Sequence, residues 1–207
     1  MTQQQRALRT RSLAVRAAAV QFDRDGYQGT ALVQVYQRAG ISMGALSFHF
    51  PTKRDLARAV REQGYALVRD TVAGVLSRPG PALATGVALT LTLARLLEEN
   101  VEVRAAARLS RECPPVTSSW YAEWLPELRV LFRRAQDEGG LRPGSDPEAL
   151  AALAAHLVSG AEVQLRGGAA ASGARDLSPV AQLAQIWRVV LPGLVVQNPH
   201  DFEVAFV

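Results

Sequence analysis

The sequence contains one cysteine, Cys113, so no intramolecular disulfide can form and no cysteine-rich zinc site is available. A lone thiol fits a reducing compartment. Its three histidines, His49, His156 and His200, lie far apart, with neither an i,i+4 partner nor a cysteine companion, so no metal site is expected. No apolar run reaches about 18 residues free of charge, and the start, MTQQQRALRTRS, has no apolar signal segment. The chain is therefore expected to be soluble and cytoplasmic, with no membrane partner. Alternating β-branched runs bounded by turn pairs are missing, which removes the usual strand signal. G-x-S-x-G, H-E-x-x-H, Walker A and G-x-G-x-x-G are absent as well. Cys113 precedes Pro114 and Pro115 without an identifiable histidine partner, so neither catalysis nor a cofactor is expected.

Lysine is scarcer still. Of 23 basic residues only Lys53 is lysine, a bias that genome base composition alone can produce, so arginine identity carries little weight. The placement of charge carries more. Residues 1–63 hold 10 Lys/Arg and 4 Asp/Glu, a net +6; residues 64–207 hold 13 and 15, a net −2, which together give the overall +4. A basic first third on a near-neutral remainder points to a polyanion at one end.

What is present in quantity is helical periodicity. The 48% hydrophobic fraction of 207 residues suffices for a sizeable core. Leu8, Leu13, Ala14, Ala17, Ala18 and Phe22 fall at helical spacing, and Gly26 ends that run. Thr30 can cap a second helix that Gly40 stops, and Ser42 can cap a third that ends near Phe48–Phe50, before Pro51. Thr52-Lys53-Arg54-Asp55 resembles a capping box with Asp in the acidic position, opening a helix to about Ser77. Further helices are expected at about 82–99, 102–112, 118–138 with Pro126 as a kink or a break, 147–166 after an Asp146 cap, and 179–196 with a possible bend at Pro192. Residues 113–117 and 167–178 read as loops, and the tail after Gln197 as irregular. The fold class is all-α, with about nine helices.

The first three helices form a unit of about 40 residues, and a tight Ala39-Gly40-Ile41 turn joins the second to the third. That is the layout of a helix-turn-helix, whose second helix enters the major groove. Ser42, Gly44, Ala45 and Ser47 are small, so the backbone can approach DNA closely. Met43 can touch a thymine methyl, and Phe48 is counted with the same DNA-binding face. Leu46 and Phe50 are expected in the core, and Lys53 on a phosphate. Arg6, Arg9 and Arg11 would form a basic arm ahead of the first helix. The bland alternative is a surface helical turn beside a solvated basic face; the charge split and the N-terminal position favour DNA.

Residues 26–60, GYQGTALVQVYQRAGISMGALSFHFPTKRDLARAV, resemble the signature of TetR-type transcriptional repressors. Within that family the QQQRALRTR start, GALSFHF, ARLSRE and the Trp124…Gln136-Asp-Glu-Gly-Gly-Leu pattern are similar to the γ-butyrolactone receptor group of actinomycetes. The resemblance implies DNA-face roles for Thr30, Ser42, Gly44, His49 and Lys53. It implies a DNA-binding domain over 1–51 and an effector and dimerisation domain over 52–207. Pairing would use the helices at about 147–166 and 179–196, the first offering Ala151, Ala152, Leu153, Ala155, Leu157, Gly160 and Val163. A two-fold dimer should read an inverted repeat. For the small-molecule effector the resemblance singles out Trp124 and Gln63, with Trp120, Tyr121 and Trp187 as additions. Leu157 stands where several receptors place a lactone-bonding threonine, which favours a more apolar effector.

Two further departures concern DNA. The receptor group usually has Lys in place of Met43 and Tyr in place of Ser47, so operator affinity or preference is expected to differ. The basic balance resembles the pseudo-receptors of that group. The rival expectations are an all-α interaction protein with a vestigial DNA head, and a repressor without an effector.

Overall fold

The computed structural model describes residues 2–113, 119–167 and 177–195. Among them are nine α-helices: α1 Gln3–Gly29, α2 Leu32–Ala39, α3 Met43–His49, α4 Lys53–Leu76, α5 Ala82–Glu99, α6 Val101–Glu112, α7 Leu125–Asp137, α8 Pro147–Gly167 and α9 Pro179–Leu194. A 3-10 turn, Trp120–Glu123, precedes α7. The all-α expectation holds for the described residues. The chain divides into two compact units: Met1–Leu67 with Asn100–Trp120, and Val68–Glu99 with Tyr121–Val207.

In the first unit α1 presents a stripe of Ala14, Val15, Ala17, Ala18, Ala19 and Phe22, all buried. Small side chains let α6 lie close, with Ala105 and Leu109 in the same core cluster. Phe22 has no exposed surface, and its burial contributes on the order of 2–3 kcal/mol. Helix α1 does not simply end at Gly26. It breaks there, at φ 73°, and resumes for one further turn. Thr30 is not the cap of α2, whose N-cap is Ala31. Its hydroxyl instead donates to Gly26 O at 2.7 Å, bonding back onto the last turn of α1. Gly40, at φ 65°, closes α2 in a Schellman motif: its N–H bonds Gln37 O, and Ile41 N–H bonds Tyr36 O, both at 3.1 Å.

In the second unit α5 packs against α7, α8 and α9. A Cβ on Gly86 would lie 2.5 Å from the Phe132 ring, so glycine is what lets α7 approach α5. Trp187 is fully buried and donates its Nε1–H to Thr90 Oγ1 at 2.9 Å. Pro126 marks a break rather than a kink. Trp124, at φ −150° and ψ −27°, separates the 3-10 turn from α7, and Pro126 falls in the first turn of α7, where its missing N–H costs nothing. Pro192 sits within α9, which runs to Leu194. The expected loops at 113–117 and 167–178, and the tail, fall largely outside the described residues.

Candidate functional site

Helix α3 has only seven residues, too few to persist alone, and is held by its ends. At its start Ser42 Oγ accepts the Ala45 N–H at 3.1 Å. Leu46 and, just past the C-terminus, Phe50 are buried in the first unit's core, as expected. The opposite side is bare: Met43 is 67% and Phe48 81% exposed, and Ser42, Gly44 and Ser47 are exposed beside them, with Ala45 half-buried. A Cβ on Gly44 would meet nothing nearer than Ser42 Oγ at 4.0 Å. Internal packing therefore does not require a glycine there. His49 is half-buried between Phe48 and Phe50, at ring distances of 5.2 and 6.3 Å.

The remaining expected DNA residues are placed less simply. Lys53, half-buried at the start of α4, points its Nζ at Gln28 O, 3.3 Å away, and lies 4.8 Å above the Tyr27 ring. Burial pushes its ammonium pKa down. Arg54 beside it is exposed. Arg6, Arg9 and Arg11 are exposed but not in an arm ahead of the first helix. They lie in the first turns of α1, which starts at Gln3 because Thr2 and Gln5 form a capping box. Arg11 rests 5.4 Å from the Phe50 ring centroid. Thr30 is 2% exposed, so it shapes the turn before α2 from inside and offers no group to a ligand.

The residues expected to meet an effector fall in both units. Gln63 is exposed on α4 and Trp120 is buried, both in the first unit. In the second, Trp124 is fully buried 5.7 Å from the Tyr121 ring, and the Tyr121 hydroxyl is 2.7 Å from Ser159 Oγ on α8. Leu157 is half-buried on the same helix. The Trp187–Thr90 bond gives Trp187 a core role. A surface groove of about 310 Å³ opens beside the 3-10 turn, lined by Arg69, Val72, Ala73, Leu76, Ala122, Glu123 and Glu127. The Arg69–Glu123 ion pair spans it at 2.7 Å, and none of the expected effector residues lines it. Of the expected pairing face on α8, Ala151 belongs to the core, Leu153, Ala155 and Leu157 are half-buried, and Ala152, Gly160 and Val163 are exposed. On α9, Val189 is 80% exposed.

Among the described residues no group of three or more His, Cys, Asp or Glu is placed to hold a metal ion, and no helix is long and apolar enough to cross a membrane. His156 Nδ1 lies 2.6 Å from Ala152 O on its own helix; His200 is outside the described residues.

Residues 14–60, from the middle of α1 into α4, match the profile of bacterial regulatory proteins of the tetR family. The solved structure of full-length native TylP, a TetR regulator from Streptomyces fradiae, is 30% identical, with a TM-score of 0.61, 92% of this chain and 89% of that chain being covered. This protein belongs to the TetR family. Several relatives are similar over nearly its whole length. The A-factor receptor protein of Streptomyces griseus is 29% identical over 94% of this chain and 67% of its own. A γ-butyrolactone receptor described as ArpA-like shares 27% identity at a TM-score of 0.78, over 97% of this chain and 95% of that one. The TetR-family protein CprB of Streptomyces coelicolor, solved with its biological operator sequence, shares 27% identity at a TM-score of 0.71, with 97% and 96% covered. In this TetR-family chain the matched segment includes α2, α3 and Lys53, while Arg6, Arg9 and Arg11 precede it.

Proposed function

We propose that the protein is a homodimeric repressor that reads an inverted-repeat operator through α3 of each subunit. A small-molecule effector would release it. The observation that carries this reading is the two-sidedness of α3: Leu46 and Phe50 fix it from within, while Met43, Gly44, Ser47 and Phe48 present a surface the chain itself does not cover. The DNA-reading role falls to residues 1–51, and effector binding and pairing to 52–207. Exposed Gly160 and Val163 on α8 and exposed Val189 on α9 support pairing through these two helices. The A-factor and γ-butyrolactone receptors among its relatives support a γ-butyrolactone-like signal or an antibiotic as effector, and control of secondary metabolism or antibiotic production as the task. Trp124, with Tyr121 and Leu157, is the proposed centre of effector contact. For release, the effector must bind the DNA-incompetent state more tightly.

The test is a gel shift against the protein's own upstream promoter across a salt series. A sequence-specific complex that weakens with salt is expected. Absence of any such complex at low salt would sink the reading in favour of an all-α interaction protein. Replacing Lys53 by Ala should weaken binding to all sequences about equally and lower the salt slope by about 1, because a phosphate contact carries no base information. In tryptophan fluorescence titrations with a panel of γ-butyrolactones, furans and polyketide antibiotics, a response is expected that Trp124→Ala abolishes. An unchanged response in that variant would refute the assignment of Trp124.

A further inference from the structure

The ARLSRE stretch, residues 107–112, has no role in the reading above, yet it reaches the most unusual backbone in the first unit. Where α1 breaks at Gly26, φ 73° and ψ −179° take the backbone out of helical geometry. Two side chains of α6 bond the main chain on either side of the break. Glu112 Oε2 accepts the Tyr27 N–H at 2.6 Å. Arg108 Nη1 donates to Asp23 O at 2.7 Å and to Arg24 O at 3.1 Å. The two side chains, one helical turn apart, are themselves paired at 2.5 Å, and Arg104 adds a 2.9 Å bond to the Asp23 carboxylate. A side chain at Gly26 would be strained by the positive φ of 73°, and its Cβ would lie 2.6 Å from both Arg108 Nη2 and Glu112 Oε2, which would have to move.

The turn so held leads directly to the DNA face. Thr30 hangs from the Gly26 carbonyl through both its N–H, at 3.2 Å, and its hydroxyl, at 2.7 Å. Lys53 bonds the carbonyl of Gln28 and covers the ring of Tyr27. The Schellman turn at Gly40 then ties α3 to α2. The direction in which α3 leaves α1 is therefore not set by a continuous helix. At the other side of the same stretch, buried Ser110 Oγ accepts the Trp120 N–H at 2.9 Å, at the start of the turn that leads to Trp124.

We propose that Arg108 and Glu112 are positioning residues for DNA reading: an ion-paired latch from α6 that locks the broken end of α1 and so fixes the angle of α3. The proposal rests on the repressor reading. A latch that only orients should affect recognition of a particular sequence far more than general attraction to DNA, because the exposed arginines of α1 keep their place without it.

The experiment uses the full-length protein and two duplexes: one enriched by the wild type from a random-sequence pool, and its scrambled counterpart. Glu112→Gln, Arg108→Lys and Arg108→Met are compared. Loss of a charge-assisted hydrogen bond in the latch is expected to weaken binding to the enriched duplex by roughly tenfold or more. Binding to the scrambled duplex should hold within about twofold. Arg108→Lys keeps the charge but not the fork and should fall between wild type and Arg108→Met. Amide exchange at Tyr27 should accelerate relative to the amides of Val15–Phe22. A parallel loss on both duplexes that tracks a lowered Tm, or no change on either with Tyr27 exchange unaltered, overturns the proposal. Should Arg108→Met not fold, the two milder variants decide. Should the wild type enrich no duplex, the repressor reading fails, and Tyr27 exchange still decides whether the latch holds the turn.

Discussion

Thr90 spends its hydroxyl twice, donating to Val87 O at 2.7 Å and accepting the indole N–H of Trp187 at 2.9 Å. Both side chains are fully buried, so water cannot substitute for either. Thr90→Val keeps the shape and strands the indole donor. The expected loss is about 1–3 kcal/mol in denaturant unfolding, part of which Trp187→Phe in the same background should recover. A Thr90→Val protein as stable as wild type would show that Trp187 is not held this way. Such a pairing was not legible in the sequence. Both residues sit at helical core spacing, and nothing local announces a bond between positions 97 residues apart. The same holds for Thr30. Its position before an apolar run spells a helix cap, but its hydroxyl bonds back to the Gly26 carbonyl four residues earlier instead. The sequence does show a glycine at 26; it does not show the α6 side chains that close around it.

Elements were easier to read than single contacts, because their ends are written in adjacent residues. Ser42 caps α3 through Ala45, Thr52 caps α4 through Asp55, and Asp146 accepts the Glu148 N–H before α8, as local capping rules require. The start of α1 is the exception: Arg6, Arg9 and Arg11 read as an arm ahead of the first helix, whereas the Thr2–Gln5 capping box places them inside it. At α4 the Thr52 hydroxyl donates to the Asp55 carboxylate at 2.6 Å, and chiefly for that reason Asp55 has a pKa below the ordinary 3.8. A depressed aspartate stabilises the folded state above its unfolded value, and that contribution is lost as pH falls through the folded value. The first turn of α4 should therefore stay protected down to 3.8 and open only in stronger acid. Thr52→Val should move the Asp55 carboxyl titration, followed by NMR, back toward 3.8; an unmoved titration would exclude the hydroxyl as the cause. At α3 the cap matters more than its bond strength suggests, since a seven-residue helix has few other supports. Ser42→Ala is expected to cost about 1 kcal/mol, read as faster amide exchange across Met43–His49.

At the scale of the whole molecule, the all-α class and the TetR resemblance were legible because the signature over residues 26–60 and helical periodicity are both local patterns. The division into two compact units was not, since Asn100–Trp120 joins the N-terminal unit across a long stretch of sequence. Nor were the surroundings of the effector residues, which depend on which helices meet. Assembly is testable directly. Val189, 80% exposed on α9, should lie within the pairing surface, so Val189→Glu is expected to shift sedimentation toward the monomer. An unaltered dimer would place the pairing surface elsewhere. The most practical consequence of this architecture lies in its only lysine. With a single side-chain amine in 207 residues, an acylating reagent has one lysine to modify, and it stands at the foot of the reading head. Its lowered pKa leaves more of that amine unprotonated and nucleophilic at a given pH. Mass spectrometry of acylation at Lys53, separated from that of the N-terminal amine and compared with and without DNA, would then report occupancy of the head with no engineered label.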